Sequence, residues 1–197
     1  MSMKEALENY FKRLESSCQN KNGCMPKTVY VEKCDLHGIY IKGSLDQEGY
    51  AEWKPILQNQ FIDFEQIEKE LGFKINEQIK QFFTTYWFMQ MYGNYNGNEC
   101  YFNKIVPNAD IRDIILKSHY SGNIDYMKPH NYFHIDDVDN IDHEDCGLYV
   151  ENSTCKVVGI DWDSAMDCDF SKPLSEFMFK ICDSLEELID TMEVKRF

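Results

Sequence analysis

The sequence predicts an α+β fold: a single domain over residues 1–197 whose central sheet is mostly antiparallel and flanked by helices, including long N- and C-terminal helices. Three observations predict it. Apolar residues fall at helical steps at both ends of the chain. Runs rich in Val, Ile and Tyr, separated by turn residues, occupy stretches of their own. Strands and helices nowhere alternate as β-α-β units, and no internal repeat, low-complexity segment or linker marks a second domain.

Residues 2–19 place Ala6, Leu7, Tyr10, Phe11, Leu14 and Cys18 on one face of an amphipathic helix, with Lys4, Glu8, Lys12 and Glu15 between them. Asn20-Lys21-Asn22-Gly23 ends it, and strand-like runs follow at Thr28 to Lys33 and Gly38 to Lys42. From Phe61 the helical period returns, first at Phe64. Ile67 and Leu71, then Ile75, Ile79, Phe82, Phe83 and Tyr86, define two helices separated by Gly72, with Asp63 and Asn76 as N-caps. Tyr92 to Gly97, with its Asn and Gly residues, reads as a loop or tight hairpin.

Glu99 to Val106 reads as a strand and Asp110 to Ser118 as a short helix, whereas residues 119–130 look irregular. Strands are expected at Tyr132 to Ile135, Gly147 to Glu151 and Lys156 to Trp162, the last two joined as a hairpin through Glu151-Asn152-Ser153-Thr154. Leu174, Phe177, Met178, Ile181, Leu185, Leu188, Ile189 and Met192 then follow steps of three or four, which predicts one long final helix starting near Pro173.

The charge excludes several functions. The chain carries 20 Lys and Arg against 34 Asp and Glu, a net charge of −14, so its surface is repelled from nucleic acid and from anionic lipid. A basic protein surface is the natural complement. No stretch reaches the ~18 apolar residues of a membrane span, and the opening residues lack the apolar core of a signal peptide, so a cytoplasmic location without direct lipid insertion is expected. Eight scattered cysteines without a C-x-x-C pair then read as reduced core residues rather than disulfides or a zinc site.

The sharpest polar feature is Ile135 to Asp145, where six of eleven positions are acidic. Neither a loop starting at Asp137 nor one starting at Asp161 fits the ligand spacing of an EF-hand, because Ile141 and Ala165 fall at the fifth position, where an oxygen ligand is required. A second acidic group, Asp161, Asp163, Asp167 and Asp169, surrounds Trp162. His119, His130, His134 and His143 match no zinc spacing, and no nucleophile elbow, P-loop or dinucleotide fingerprint occurs. No catalytic residue, cofactor or metal site is therefore expected, and the acidic residues read as a solvated surface that contacts a partner. Asp136, Asp137, Asp139, Asp142, Glu144, Asp161 and Asp163 are the candidate contacts. In the aromatic run Phe82 to Phe88, the helical positions read as core, leaving Trp87 and, further on, Tyr95 as candidate exposed contacts. An enzyme or metal protein built on residues 134–145 is the reading from another class.

The run Ile67 to Tyr86 resembles the signature of the SUKH superfamily, with Leu71-Gly72, an amphipathic helix, aromatics and then a Gly-rich loop. Within it the chain looks most like the Syd family of SecY-interacting proteins. The likeness extends to Pro26, Trp53-Lys54-Pro55, Phe83-Thr84-Thr85, the hairpin from Cys146 to Val158 and Leu174-Ser175-Glu176-Phe177. Two features depart from the pattern: Ile75-Asn76 replaces the usual proline at the helix start, and the hairpin after Tyr86 carries different residues. The resemblance implies a bacterial α+β binding module without enzymatic activity. Its expected partner is either the cytosolic face of the SecY translocon, which would make it peripheral at the inner face of the plasma membrane, or a polymorphic toxin domain neutralised by a cognate immunity protein. Both partners are basic, since cytoplasmic loops of membrane proteins are rich in Lys and Arg and a nuclease toxin must hold phosphate.

Overall fold

The computed structural model describes residues 1–119 and 124–195. The first helix, α1 (Met3–Asn22), begins with a reciprocal cap: the Glu5 amide donates to Ser2 Oγ at 3.3 Å and the Ser2 amide donates to Glu5 Oε2 at 2.8 Å. Gly23 ends it in the left-handed region at φ 65°. Its predicted apolar face is buried, and Tyr10 has a polar task within it. The Tyr10 hydroxyl accepts from the Tyr92 amide at 2.8 Å and donates to the Tyr92 carbonyl at 3.2 Å, tying the helix to the backbone of a strand.

The expected strands between residues 28 and 42 shrink. β1 (Lys27–Val29) pairs with β2 (Tyr50–Glu52), a 3-10 turn follows at Glu32–Cys34, and the second run contributes a single bridge, Tyr40 to Trp53. β3 (Ile56–Leu57) leads to α2 (Phe64–Leu71) and α3 (Glu77–Thr85). Asp63 and Asn76 cap these two helices as the sequence predicts, by accepting from the amides of Gln66 and Gln78. The junction between them is held by Glu68, 5% exposed, whose carboxylate takes Lys74 at 2.6 Å, Lys80 at 2.8 Å and the Ile75 amide at 3.1 Å. Burial alone would raise its pKa, but these donors outweigh the desolvation and hold it at about 2.

The main sheet comprises β5 (Met91–Tyr95), β6 (Asn98–Phe102), β7 (Tyr132–Asp139), β8 (Cys146–Glu151), β9 (Val157–Ile160), β10 (Met178–Cys182) and β11 (Glu193–Val194), in the order β10-β9-β8-β7-β6-β5-β11 and antiparallel throughout; β4 (Tyr86–Trp87) pairs with β3 outside it. The fold class is thus α+β with a curled antiparallel sheet and a long N-terminal helix. Tyr92 to Gly97 forms a tight hairpin, its turn made by Asn96 and Gly97 with φ of 51° and 90°. The hairpin joining β8 and β9 also forms as expected.

The long C-terminal helix does not form. A 3-10 turn (Leu174–Glu176) leads into β10, and α7 (Leu185–Thr191) is a new helix capped by Ser184, whose Oγ accepts from the Glu187 amide. The period-3.6 pattern is real but loses to backbone pairing: β9 would otherwise leave a row of unpaired amides and carbonyls, and Met178 to Cys182 satisfies them. Gly159 makes room, because a Cβ there would lie 2.1 Å from the Phe179 ring.

Residues 120–123 of the segment expected to be irregular lie outside the described residues. On either side of them the chain is helical, in α4 (Ile111–His119) and α5 (Ile124–Met127). Alternation along β8 sends Leu148 and Val150 into the main core, shared with α1, α3 and α4, and Tyr149 to the opposite face. That face holds a smaller core of Met127, Tyr149, Val158, Ile160 and Leu174. All eight cysteines are free thiols, six of them buried.

Candidate partner-binding surface

Three chain segments meet at one end of the main sheet. The β5–β6 turn, the β7–β8 turn and the start of α6 (Trp162–Asp167) are brought together because antiparallel pairing places Glu99 opposite Asp139 and Gly147 opposite Ile160. The β7–β8 turn is a built structure. Asn140 Oδ1 accepts from the amides of Asp142 and His143 at 2.9 Å each, its Nδ2 donates to Asn98 Oδ1 at 2.9 Å, and Asp139 Oδ1 accepts from the Asp145 amide at 2.7 Å.

This turn displays Asp142, Glu144 and Asp145 to solvent around Ile141, which is 98% exposed. An isoleucine as exposed as in the unfolded chain forgoes the stabilisation of burial and adds nothing to the fold. Asp163, in the first turn of α6, is exposed beside them. Among the described residues, Asp139, Asp142, Glu144, Asp145 and Asp163 form no ion pair with a Lys or Arg. Their negative potential is felt inside the sheet: burial first, and then the carboxylates of Asp161, Asp139, Asp163 and Asp145, push the Cys146 thiol up to about 12.

Asp136 and Asp137 lie further along β7. A bulge between His134 and Asp136 shifts the register by one residue, so that Ile135 and Val138 are both buried, Asp136 is half-buried opposite Leu148 and Asp137 is exposed. Burial, and then repulsion from Asp137, raise Asp136 to about 6. His134 lies between this pair and Tyr149, with Nε2 3.9 Å from Asp137 Oδ1 and its ring 4.9 Å from that of Tyr149. Burial lowers its pKa, against the pull of Asp137.

Asp161 is placed differently. It caps α6 by accepting from the Ser164 amide at 2.9 Å and hydroxyl at 2.8 Å, and His143 Nδ1 sits 3.5 Å from its Oδ2. Burial pushes its carboxyl up, but the Ser164 and His143 hydrogen bonds prevail and hold it below the usual range. The structure therefore gathers Asp139, Asp142, Glu144, Asp161 and Asp163 at one end of the sheet and leaves Asp136 and Asp137 on the adjoining strand.

The two aromatic candidates fare unequally. Trp87 is 2% exposed and packed against the His37 ring, centroids 4.7 Å apart and planes tilted by 31°, so it is a core residue and not a surface contact. The reason is that α3 stops at Thr85 and Trp87 enters β4, where it pairs with Ile56. Tyr95 is half-buried and donates its hydroxyl to Glu187 at 3.1 Å. The sequence raised Ile141, His143 and Asp145 only as members of the acidic 134–145 segment and Cys146 only as a core thiol; their convergence needed the strand pairing.

The family profile for Syd protein (SUKH-2) matches residues 4–115, more than half of the chain. The chain belongs to the Syd family. No protein among the curated sequences matches it. The run from Ile67 to Tyr86, on which the resemblance rests, lies wholly inside the match to Syd, whereas the acidic turn and α6 lie beyond it. Among the described residues no helix of this Syd-family chain is long and apolar enough to cross a membrane.

Proposed function

We propose that this Syd-family chain is a non-enzymatic binding module that docks the acidic end of its sheet onto a Lys- and Arg-rich protein surface, the cytosolic loops of the SecY translocon. The observation that carries this reading is the cluster of carboxylates without a Lys or Arg ion pair among the described residues, Asp142, Glu144, Asp145 and Asp163 exposed and Asp139 half-buried, around the fully exposed Ile141. Carboxylates steer a basic partner into place, and the apolar side chain at their centre holds it once water is expelled. Asp136 and Asp137 lie on the adjoining strand, where they add field more than contact, and Tyr95, uncharged, lies at the end of β5. Docking would hold the protein at the inner face of the plasma membrane through its partner and not through lipid.

A cognate toxin domain offers the same basic chemistry, so affinity capture from the native host separates the two partners. The account expects SecY to be recovered by the wild-type chain and lost with Ile141→Asp. Recovery of a toxin domain without SecY overturns the assignment of the partner.

A further inference from the structure

We propose that His143, Cys146 and Asp161 form a binding site for a divalent cation of the zinc class, clipping the β7–β8 turn to the end of β9. One ligand atom from each of the three residues lies within 4.8 Å of the other two. Tetrahedral zinc holds N, O and S donors about 3.4–3.7 Å from one another, so closing the triangle takes side-chain adjustments of about 1 Å. The His143–Asp161 edge is already 3.5 Å long.

Neighbouring groups hold the ligands in place. The His143 ring is stacked on Phe179 with centroids 4.3 Å apart and planes 7° from parallel, and its backbone is fixed by Asn140. Asp161 is oriented by both donors of Ser164. Cys146 is 1% exposed, while His143 is 34% exposed, so the fourth position opens to solvent and takes a water or a partner's side chain. A thiolate, an imidazole and a carboxylate select zinc over magnesium or calcium, which take oxygen alone. On binding, the thiol proton passes to solvent and the metal–sulfur bond replaces the S–H bond. The spacing of the ligands follows no linear pattern because two come from a turn and its following strand and the third from the neighbouring strand's end. For that reason the sequence predicted no metal here.

Cobalt(II) tests the site in the reduced full-length chain. One equivalent should produce a sulfur-to-cobalt charge-transfer band and the intense visible bands of tetrahedral cobalt, and zinc should erase both. Cys146→Ser should remove the charge-transfer band, and His143→Ala should weaken binding by about tenfold or more. Cys24→Ser and Cys168→Ser, at the two half-buried cysteines elsewhere, should leave it intact. His143 is partly exposed, so its variant stays interpretable if Cys146→Ser does not fold. Absence of the bands, or cobalt affinity unchanged by His143→Ala, overturns the proposal.

Discussion

Two regions of this chain use charge differently. In the part that matches the Syd family, several carboxylates are neutralised by a neighbouring cation: Glu68 by Lys74 and Lys80, Asp46 by Lys27, Glu70 by Arg112. From β7 to α6 the aspartates and glutamates are displayed without a Lys or Arg among the described residues, on turns whose backbone is fixed by Asn140 and Asp139. The first arrangement contributes to folding. The second contributes little to folding and leaves a negative field at the surface that the proposed partner would meet.

Substitutions can break that contrast. The largest effect belongs to the aromatic core: Phe82, 1% exposed and packed on Phe83, Phe88 and Phe102, should cost about 3–5 kcal/mol as Phe82→Ala, read from urea unfolding. Next is Glu68→Gln, which leaves two lysines and a buried amide underserved and should cost about 2 kcal/mol. Its pH signature has a definite sign. A carboxyl held at about 2 in the folded chain against 4.5 unfolded stabilises fully above 4.5 and loses that contribution as pH falls toward 2, so the variant should lack this acid sensitivity.

Asp136→Asn should do the reverse. Its carboxyl is raised from 3.8 to about 6, so ionising it opposes folding as pH rises through that interval. At neutral pH the variant should gain about 1 kcal/mol, after discounting for partial solvent exposure, seen as a few degrees in thermal melts. That gain should vanish below 3.8. Smallest is the combined Asp139→Asn, Asp142→Asn, Glu144→Gln variant, whose stability should stay within about 1 kcal/mol of the wild type. A large loss would place these carboxylates in the folding account and erase the contrast.

Local chemistry was legible in the sequence wherever one segment decided its own structure. The face of α1, the caps at Asp63 and Asn76, and the turn joining β8 and β9 depend on neighbours a few residues away. What depended on distant strands was not legible. Leu174 to Met192 has a helical period, yet the open edge of β9 decides that Met178 to Cys182 is a strand. Trp87 follows a helix by sequence and is buried by its pairing with Ile56. The acidic residues were identifiable by composition, but their convergence with Ile141 required the pairing of β6 with β7 and of β8 with β9.

The central claim is that the turn carboxylates act on a basic partner and not on the fold. Stopped-flow association with SecY in nanodiscs, across a series of salt concentrations, measures this directly. The combined Asp139→Asn, Asp142→Asn, Glu144→Gln variant should associate about tenfold more slowly at low salt and show a flatter salt dependence, with dissociation little changed. An association rate and salt slope equal to those of the wild type would contradict the account.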